Sequence, residues 1–223
     1  MRRAFDWSLY LVTDRALCLG RPIEEIVLEA VAGGVTAVQL REKECSTREF
    51  VALARQLKAA LCPRGVPLLI NDRVDVALAA GADGVHIGQS DMAYGDARSL
   101  LGDGTLIGLS VETPAQAAEA HALDCDYLGV GPIFPTSTKP DAAPAWGLDR
   151  LAELRANSRH RLVAIGGIHA ANAAAVTSCG ADGIAVVSAI CSAPDPRGAA
   201  AQLRRMIENG RARIESRVPS IHP

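Results

Sequence analysis

Pro67-Leu-Leu-Ile-Asn-Asp-Arg-Val-Asp-Val-Ala-Leu-Ala-Ala-Gly-Ala-Asp-Gly-Val-His-Ile87 contains one complete structural unit of this chain. The apolar run Pro67–Ile70 has strand length. A helical stretch follows and stops at Gly81, where a glycine can close a helix in the left-handed conformation. A second apolar run, Gly84–Ile87, begins almost at once. The junction Gly81-Ala82-Asp83-Gly84-Val85 recurs as Gly180-Ala181-Asp182-Gly183-Ile184, and Gly33-Gly34-Val35 reads as a degenerate third copy. Each copy is a helix end running into a strand, so the repeat reads as architecture.

Working outward, the same alternation gives eight strands: Leu9–Val12, Ala37–Leu40, Pro67–Ile70, Gly84–Ile87, Leu106–Leu109, Tyr127–Val130, Leu162–Ile165 and Gly183–Val187. Amphipathic segments such as Pro22–Ala32, Thr47–Leu61, Pro114–Ala122 and Ala170–Cys179 lie between them. Pro22 with Glu24 and Glu25 marks one helix start, and Ser46 with Glu49 three residues on marks another. Strands alternating with helices pair in parallel through right-handed crossovers. Eight units in 223 residues favour a closed barrel. An open doubly wound sheet would need a Gly-rich nucleotide turn after an early strand, and none is present. The expectation is an α/β protein with a single (β/α)8 TIM barrel over residues 1–208. Residues 209–223 are charged and lack an apolar period, so they read as a frayed, disordered tail.

Bulk properties bound the partners. Apolar residues make up 49% of the chain, enough for a sizeable core, and the net charge of −2 gives no reason to expect a nucleic acid or a membrane surface. The first residues lack the apolar run of a signal peptide, and no stretch reaches the ~18 apolar residues of a membrane span. Six cysteines, Cys18, Cys45, Cys62, Cys125, Cys179 and Cys191, form no C-x-x-C pair. They read as free thiols in a reducing cytoplasm. The sequence leaves a homo-oligomer open.

A barrel of this kind carries its site at the C-terminal strand ends. After the second strand begins, Gln39, Arg41 and Lys43 alternate with Leu40 and Glu42, so the first three share one face and point into the barrel mouth. Two cations and an amide suit phosphate or pyrophosphate. Asp72 and Asp91 follow neighbouring strands. They suit an acid/base pair or Mg²⁺, and the nearby cations favour the metal, which takes one or two carboxylates plus phosphate oxygens and water. Each Asp taken alone could be a helix cap. Asp75 and Asp83 read as structural, and His86 as a packed, hydrogen-bonded barrel residue. Ser110 lies in no G-x-S-x-G elbow, so it is not a hydrolase nucleophile. Thr136, Ser137, Thr138 and Lys139 make a donor-rich loop after the sixth strand, suited to an anion or to a lid. Gly166-Gly167 and Ser188 end the seventh and eighth strands, where barrels frequently hold phosphate. Two anion sites are therefore expected, on opposite sides of the mouth.

The set QLREK, INDRVDVALAAGADGVHIGQSD, IGLSV, GPIFPTSTK, AIGGI and VVSAI, in this order, resembles the thiamine-phosphate synthase family from about Leu9 to about Leu203. That resemblance implies a transferase of thiamine biosynthesis. It would condense 4-amino-2-methyl-5-hydroxymethylpyrimidine pyrophosphate with 4-methyl-5-(2-hydroxyethyl)thiazole phosphate, using Mg²⁺. By motif, Gln39, Leu40, Arg41, Glu42, Lys43, Asn71, Ser110 and Lys139 would hold the pyrimidine pyrophosphate. Thr136, Ser137, Thr138, Gly167, Val187 and Ser188 would hold the thiazole phosphate, and Asp72 and Asp91 the metal. Arg41, Lys43, Ser110 and Lys139 would be the catalytic set in a dissociative substitution that needs no protein nucleophile. Thiazole tautomerase, on the same barrel, and a non-catalytic thiamine-phosphate sensor are the alternatives. The complete pyrophosphate and metal set counts against both. Ala145-Trp146 departs from the smaller aliphatic pair usual in the family, which points to altered loop packing and thiazole preference.

Overall fold

The computed structural model describes residues 5–136, 138 and 143–215. Eight parallel strands close into a barrel in chain order: β1 (Leu9–Val12), β2 (Ala37–Leu40), β3 (Leu68–Asn71), β4 (Gly84–Ile87), β5 (Leu106–Val111), β6 (Tyr127–Val130), β7 (Leu162–Ile165) and β8 (Gly183–Val186). β1 closes on β8 with Leu9 opposite Ile184 and Leu11 opposite Val186. Around it run α1 (Ile23–Ala32), α2 (Thr47–Leu61), α3 (Val74–Ala80), α4 (Tyr94–Leu101), α5 (Pro114–Ala120), α6 (Gly147–Asn157), α7 (Ala173–Ser178), the one-turn α8 (Ser188–Cys191) and α9 (Pro196–Glu215).

Strand alternation sorts the core into two layers. Leu9, Leu11, Val38, Leu40, Leu68 and Ile70 point outward and fill the sleeve between barrel and helices. Tyr10, Val12, Ala37, Leu69, Tyr127, Val163 and Ala185 point inward, with Trp7 beneath them. Each large apolar side chain removed from water contributes about 1.5–3 kcal/mol. Trp7 and Tyr127 pack at 4.4 Å between ring centroids, and Tyr10 meets Tyr127 edge-on at 5.7 Å. Two glycines make room for this layer: a Cβ at Gly108 would strike the Tyr127 ring, and one at Gly129 would lie 2.9 Å from His86 Cε1. The aromatic layer closes the barrel from below and leaves the upper mouth open.

Local signals explain the helix boundaries. Ser46 and Glu49 form the expected capping box, with Glu49 N donating to Ser46 Oγ at 3.3 Å and Ser46 N to Glu49 Oε2 at 2.9 Å. Thr113 and Gln116 form a second, with Pro114 at the first helical position. The Gly-Ala-Asp repeat has a concrete structural use. Asp83 accepts from Leu68 N and Asp182 from Leu162 N, each at 2.8 Å, so each carboxylate satisfies the first N–H of the preceding strand. Asp126 likewise accepts from Ile107 N, the second residue of β5, at 2.8 Å. Gly81 lies at φ 64 as the left-handed cap of α3.

The C-terminal expectation needs correction. Residues 209–215 do not fray; they continue α9, which packs along α7. These residues dock without an apolar period of their own: Gly210 lies against α7, and Arg211 donates to Asp182 O. Residues 216–223 lie outside the described residues. Gly210 faces α7 so closely that a Cβ would strike Thr177 Oγ1 and come within 2.5 Å of Ala174 O. Overpacking of this kind costs about 1–3 kcal/mol. Gly210→Val should therefore lower the melting temperature by roughly 2–12 °C for a chain of this size. An unchanged melting curve would show that α9 does not need this contact.

Candidate functional site

The inward residues above the aromatic layer, together with the strand-end loops, line a cavity of about 1180 Å³. Gln39, Arg41 and Lys43 line one side. Leu40 and Glu42 point away. Leu40 is fully buried in the outer layer, and Glu42 accepts from Arg15 Nε at 3.0 Å with its side chain only 2% exposed. The run 39–43 therefore offers the cavity three side chains, and the expectation that Leu40 and Glu42 hold a ligand does not extend to their side chains.

Each cation in this run arrives with a partner. Arg41 Nη1 donates to Asp14 Oδ2 at 2.7 Å, and Arg41 N donates to the buried Thr13 Oγ1 at 3.0 Å. Lys43 Nζ lies 2.7 Å from Asp72 Oδ2. Asp72 sits just past β3 at φ 61, in the left-handed region that non-glycine residues seldom occupy. Its N donates to His86 O at 2.8 Å, which ties that turn to β4. Strained backbone of this sort concentrates at functional sites. Asp91 accepts from Gly88 N at 2.6 Å.

The two carboxylates feel each other. Burial would raise Asp72, but its hydrogen bonds with Lys43 and with Asp91 hold it below the usual carboxylate value. Asp91 is pushed up, first by burial and then by the hydrogen bond and charge of Asp72, against the pull of the Gly88 amide. Like charges this close favour the ionised form of only one of them. Among the described residues no group of three or more His, Cys, Asp or Glu converges on a common point.

His86 rises from the cavity floor. Its Nδ1 lies 2.8 Å from Tyr127 Oη and its Nε2 2.8 Å from Ser110 Oγ. Desolvation lowers it to about 4 despite the nearby Asp72, so the imidazole is neutral at physiological pH. Asn71, at the end of β3, also lines the cavity. On the opposite side stand Thr136, Thr138, Gly166, Gly167, Val187 and Ser188, with His169 and Asn172 beside them. Ser188 opens α8.

The sequence profile described as thiamine monophosphate synthase matches residues 9–190. The chain belongs to this family. Relatives named thiamine-phosphate synthase include one from Albidiferax ferrireducens, 56% identical over 200 residues, 90% of this chain and 91% of that one. Another, from Syntrophomonas wolfei, is 53% identical over 203 residues, 91% and 97% of the two chains. A solved structure described as thiamine phosphate pyrophosphorylase from Pyrococcus furiosus superposes with a TM-score of 0.85 at 40% identity, covering 92% of this chain and 97% of that one.

Of the residues expected from the sequence motifs, Gln39, Arg41, Lys43, Asn71, Asp72, Asp91, Ser110, Thr136, Thr138, Gly167, Val187 and Ser188 line this cavity. Ser137 and Lys139 lie outside the described residues. Sequence reasoning did not single out Asp14, Tyr10 or Tyr127. Trp146 does not line the cavity; it is buried, with Nε1 donating to Glu112 O at 2.7 Å and its N to Pro132 O at 2.8 Å. It thus ties the ends of β5 and β6 together from behind.

Gly167 has a tight turn to satisfy. It lies at φ 64, and a Cβ there would come within 2.6 Å of Pro135 O and 2.8 Å of Phe134 Cβ. Asn172 Nδ2 holds its carbonyl at 2.9 Å. A side chain would press on the loop that carries Thr136 and add the roughly 1–2 kcal/mol penalty of a left-handed residue. Gly167→Ala should therefore lower the melting temperature and weaken binding of both substrates. A loss confined to the thiazole phosphate, with unchanged melting, would mean that the glycine serves the anion alone; calorimetry with each substrate separately decides.

Proposed function

We propose that the chain is a transferase of thiamine biosynthesis that joins the aminopyrimidine methylene to the thiazole nitrogen, releasing pyrophosphate and giving thiamine phosphate. One observation carries this reading beyond family membership: a paired-cation side and a Gly167/Ser188 side face each other across a single cavity. The reaction needs two anionic substrates brought together, and the cavity offers two anion-binding sides. A cytoplasmic location is part of this reading, supported by six free thiols, which suit a reducing compartment.

Asp72 and Asp91 fit a magnesium ion. Each carboxylate bears on the charge of the other, and Lys43 already answers part of it at Asp72; a divalent cation would stabilise both. Two carboxylates leave the remaining positions to phosphate oxygens and water, as this hard cation prefers. When bound, the ion supplies charge stabilisation to the pyrophosphate oxygens. Arg41 offers the rest of its planar fork to the same oxygens once Asp14 has fixed its orientation, and Lys43 adds a point charge. The C–O bond to pyrophosphate breaks as charge collects on the leaving group, and these cations stabilise that charge. Thr136, Thr138, Gly167 and Ser188 position the thiazole phosphate so that its ring nitrogen meets the methylene carbon. Positioning and charge stabilisation account for the chemistry without a protein nucleophile.

Incubating the chain with both substrates and Mg²⁺ should give thiamine phosphate and pyrophosphate in equal amounts. Binding of thiamine phosphate without turnover would identify a sensor instead. Isomerisation of a thiazole without condensation would identify a tautomerase.

A further inference from the structure

A chain of hydrogen bonds crosses the cavity floor and takes no part in the steps above. Gln39 Nε2 donates to Tyr10 Oη at 3.1 Å, and the Tyr10 and Tyr127 hydroxyls lie 2.9 Å apart. Tyr127 Oη reaches His86 Nδ1, and His86 Nε2 reaches Ser110 Oγ, each at 2.8 Å. The chain runs from β2 through β1, β6 and β4 to β5. Both tyrosines are fully buried from solvent, and with His86 they form the floor of the cavity that Gln39 and Ser110, at the two ends, also line.

Counting hydrogens gives this chain a direction. Each tyrosine hydroxyl has one hydrogen, and a buried hydroxyl left without an acceptor costs about 1–3 kcal/mol. Because Tyr10 accepts from Gln39, it must donate to Tyr127. Tyr127 must then donate to His86 Nδ1. The neutral imidazole carries its single hydrogen on Nε2 and donates it to Ser110. Ser110 is left with its own hydrogen to give to a ligand, and Gln39 is left with Oε1 to accept from one. Turning the Gln39 amide over would reverse every link together. The Ser110 hydroxyl hydrogen and Gln39 Oε1 are therefore always of opposite character, one giving where the other takes, while Gln39 keeps a second N–H and Ser110 a second lone pair for other neighbours.

We propose that Tyr10, Tyr127 and His86 are positioning residues that set the direction of the hydrogen bonds offered by Gln39 and Ser110, and so make the cavity select an aminopyrimidine over its oxo analogue. This rests on the reading above that Gln39 and Ser110 hold the same pyrimidine. An aminopyrimidine presents an amine donor and a ring-nitrogen acceptor. The oxo analogue presents a carbonyl acceptor and a ring N–H donor, the reverse pattern, and matches Gln39 Oε1 and the Ser110 hydroxyl hydrogen only if the whole chain turns over. Breaking the chain in the middle frees each end to adapt on its own.

The tautomer of His86 can be read without substrate, by ¹⁵N NMR of histidine-labelled protein with His86→Gln as the assignment control. The expected result is hydrogen on Nε2 in the free wild-type protein. Hydrogen on Nδ1 would overturn the proposed direction. Kinetically, Tyr127→Phe should raise KM for the aminopyrimidine pyrophosphate by about tenfold, the scale of one net hydrogen bond. It should change kcat little and narrow the preference over the oxopyrimidine pyrophosphate. His86→Gln, whose amide can donate towards Ser110, should recover most of what His86→Leu loses. An undiminished preference in Tyr127→Phe, or equal losses in the two His86 variants, would overturn the proposal. If Tyr127→Phe does not fold, Tyr10→Phe cuts the chain at the next link and should narrow the same preference. Failure of the wild-type protein to condense the two substrates would sink the functional reading and leave the tautomer result standing, so the two failures are distinguishable.

Discussion

Arg41→Lys should slow pyrophosphate release by roughly 10²–10³-fold, the loss seen when one preorganised donor is removed from a site of developing charge. The charge is kept and the volume nearly so, but the planar fork is lost. Asp14 accepts from one nitrogen of that fork at 2.7 Å, and Thr13 holds the backbone N of the same residue. The guanidinium is thereby aimed before a substrate arrives. A lysine in its place has one flexible ammonium, which can satisfy Asp14 or the pyrophosphate but does not present two parallel donors. Single-turnover measurement of pyrophosphate release reads this directly. A variant as fast as the parent would show that Arg41 does not face the leaving group. Asp14→Asn should give a smaller defect, because it loosens the aim and leaves the fork intact.

Asp91→Asn should lower turnover by about 10²-fold or more, the scale of several kcal/mol that a metal ion contributes to charge stabilisation. The amide oxygen can still accept from Gly88 N, the 2.6 Å contact that shapes this turn, so the fold should survive with its melting temperature little changed. The variant loses the second negative charge that makes the pair with Asp72 suited to Mg²⁺. The concentration of Mg²⁺ giving half-maximal rate should rise in step. Wild-type turnover with an unaltered Mg²⁺ titration would remove Asp91 from the metal site.

Much of the barrel is legible in the sequence because its periodicities are local. Five of the eight strands begin and end where the apolar runs do. The others shift at their edges for identifiable reasons. β3 begins at Leu68, after a proline that has no N–H for the ladder, and runs on to Asn71, which pairs with His86. α7 begins at Ala173, later than its apolar period suggests, because Asn172 turns the chain by binding Gly167 O and accepting from His169 N. The last turns of α9, residues 209–215, are not legible because they dock through a glycine and an arginine and carry no apolar period.

The site divides in the same way. Alternation along one strand is enough to find Gln39, Arg41 and Lys43. Their partners are another matter. Asp14 lies 27 positions from Arg41, and Tyr10 lies 117 positions from Tyr127. Nothing local distinguishes Tyr10 or Tyr127 from ordinary core tyrosines, and only closure of the barrel brings their hydroxyls together. The positive φ of Asp72 has a faint sequence trace, since Asp tolerates that conformation better than most residues. The trace is too common to have been decisive.

The pairing of Arg41 with Asp14 and of Lys43 with Asp72 has a consequence for which anions the mouth admits. Free phosphate, sulfate or chloride from solution meets cations whose charge is already answered, and gains little by displacing a carboxylate of equal sign. The Lys43–Asp72 contact is half-exposed, with Lys43 at 53%, so breaking it costs under about 1 kcal/mol. A ligand with many oxygens that brings its own counter-cation can exchange partners with the Lys43–Asp72 pair, giving the cation to Asp72 and an oxygen to Lys43, while Asp14 goes on holding Arg41. Discrimination against simple salts then comes from the pattern of charges, and it should persist at ionic strengths that would swamp a site relying on net positive potential.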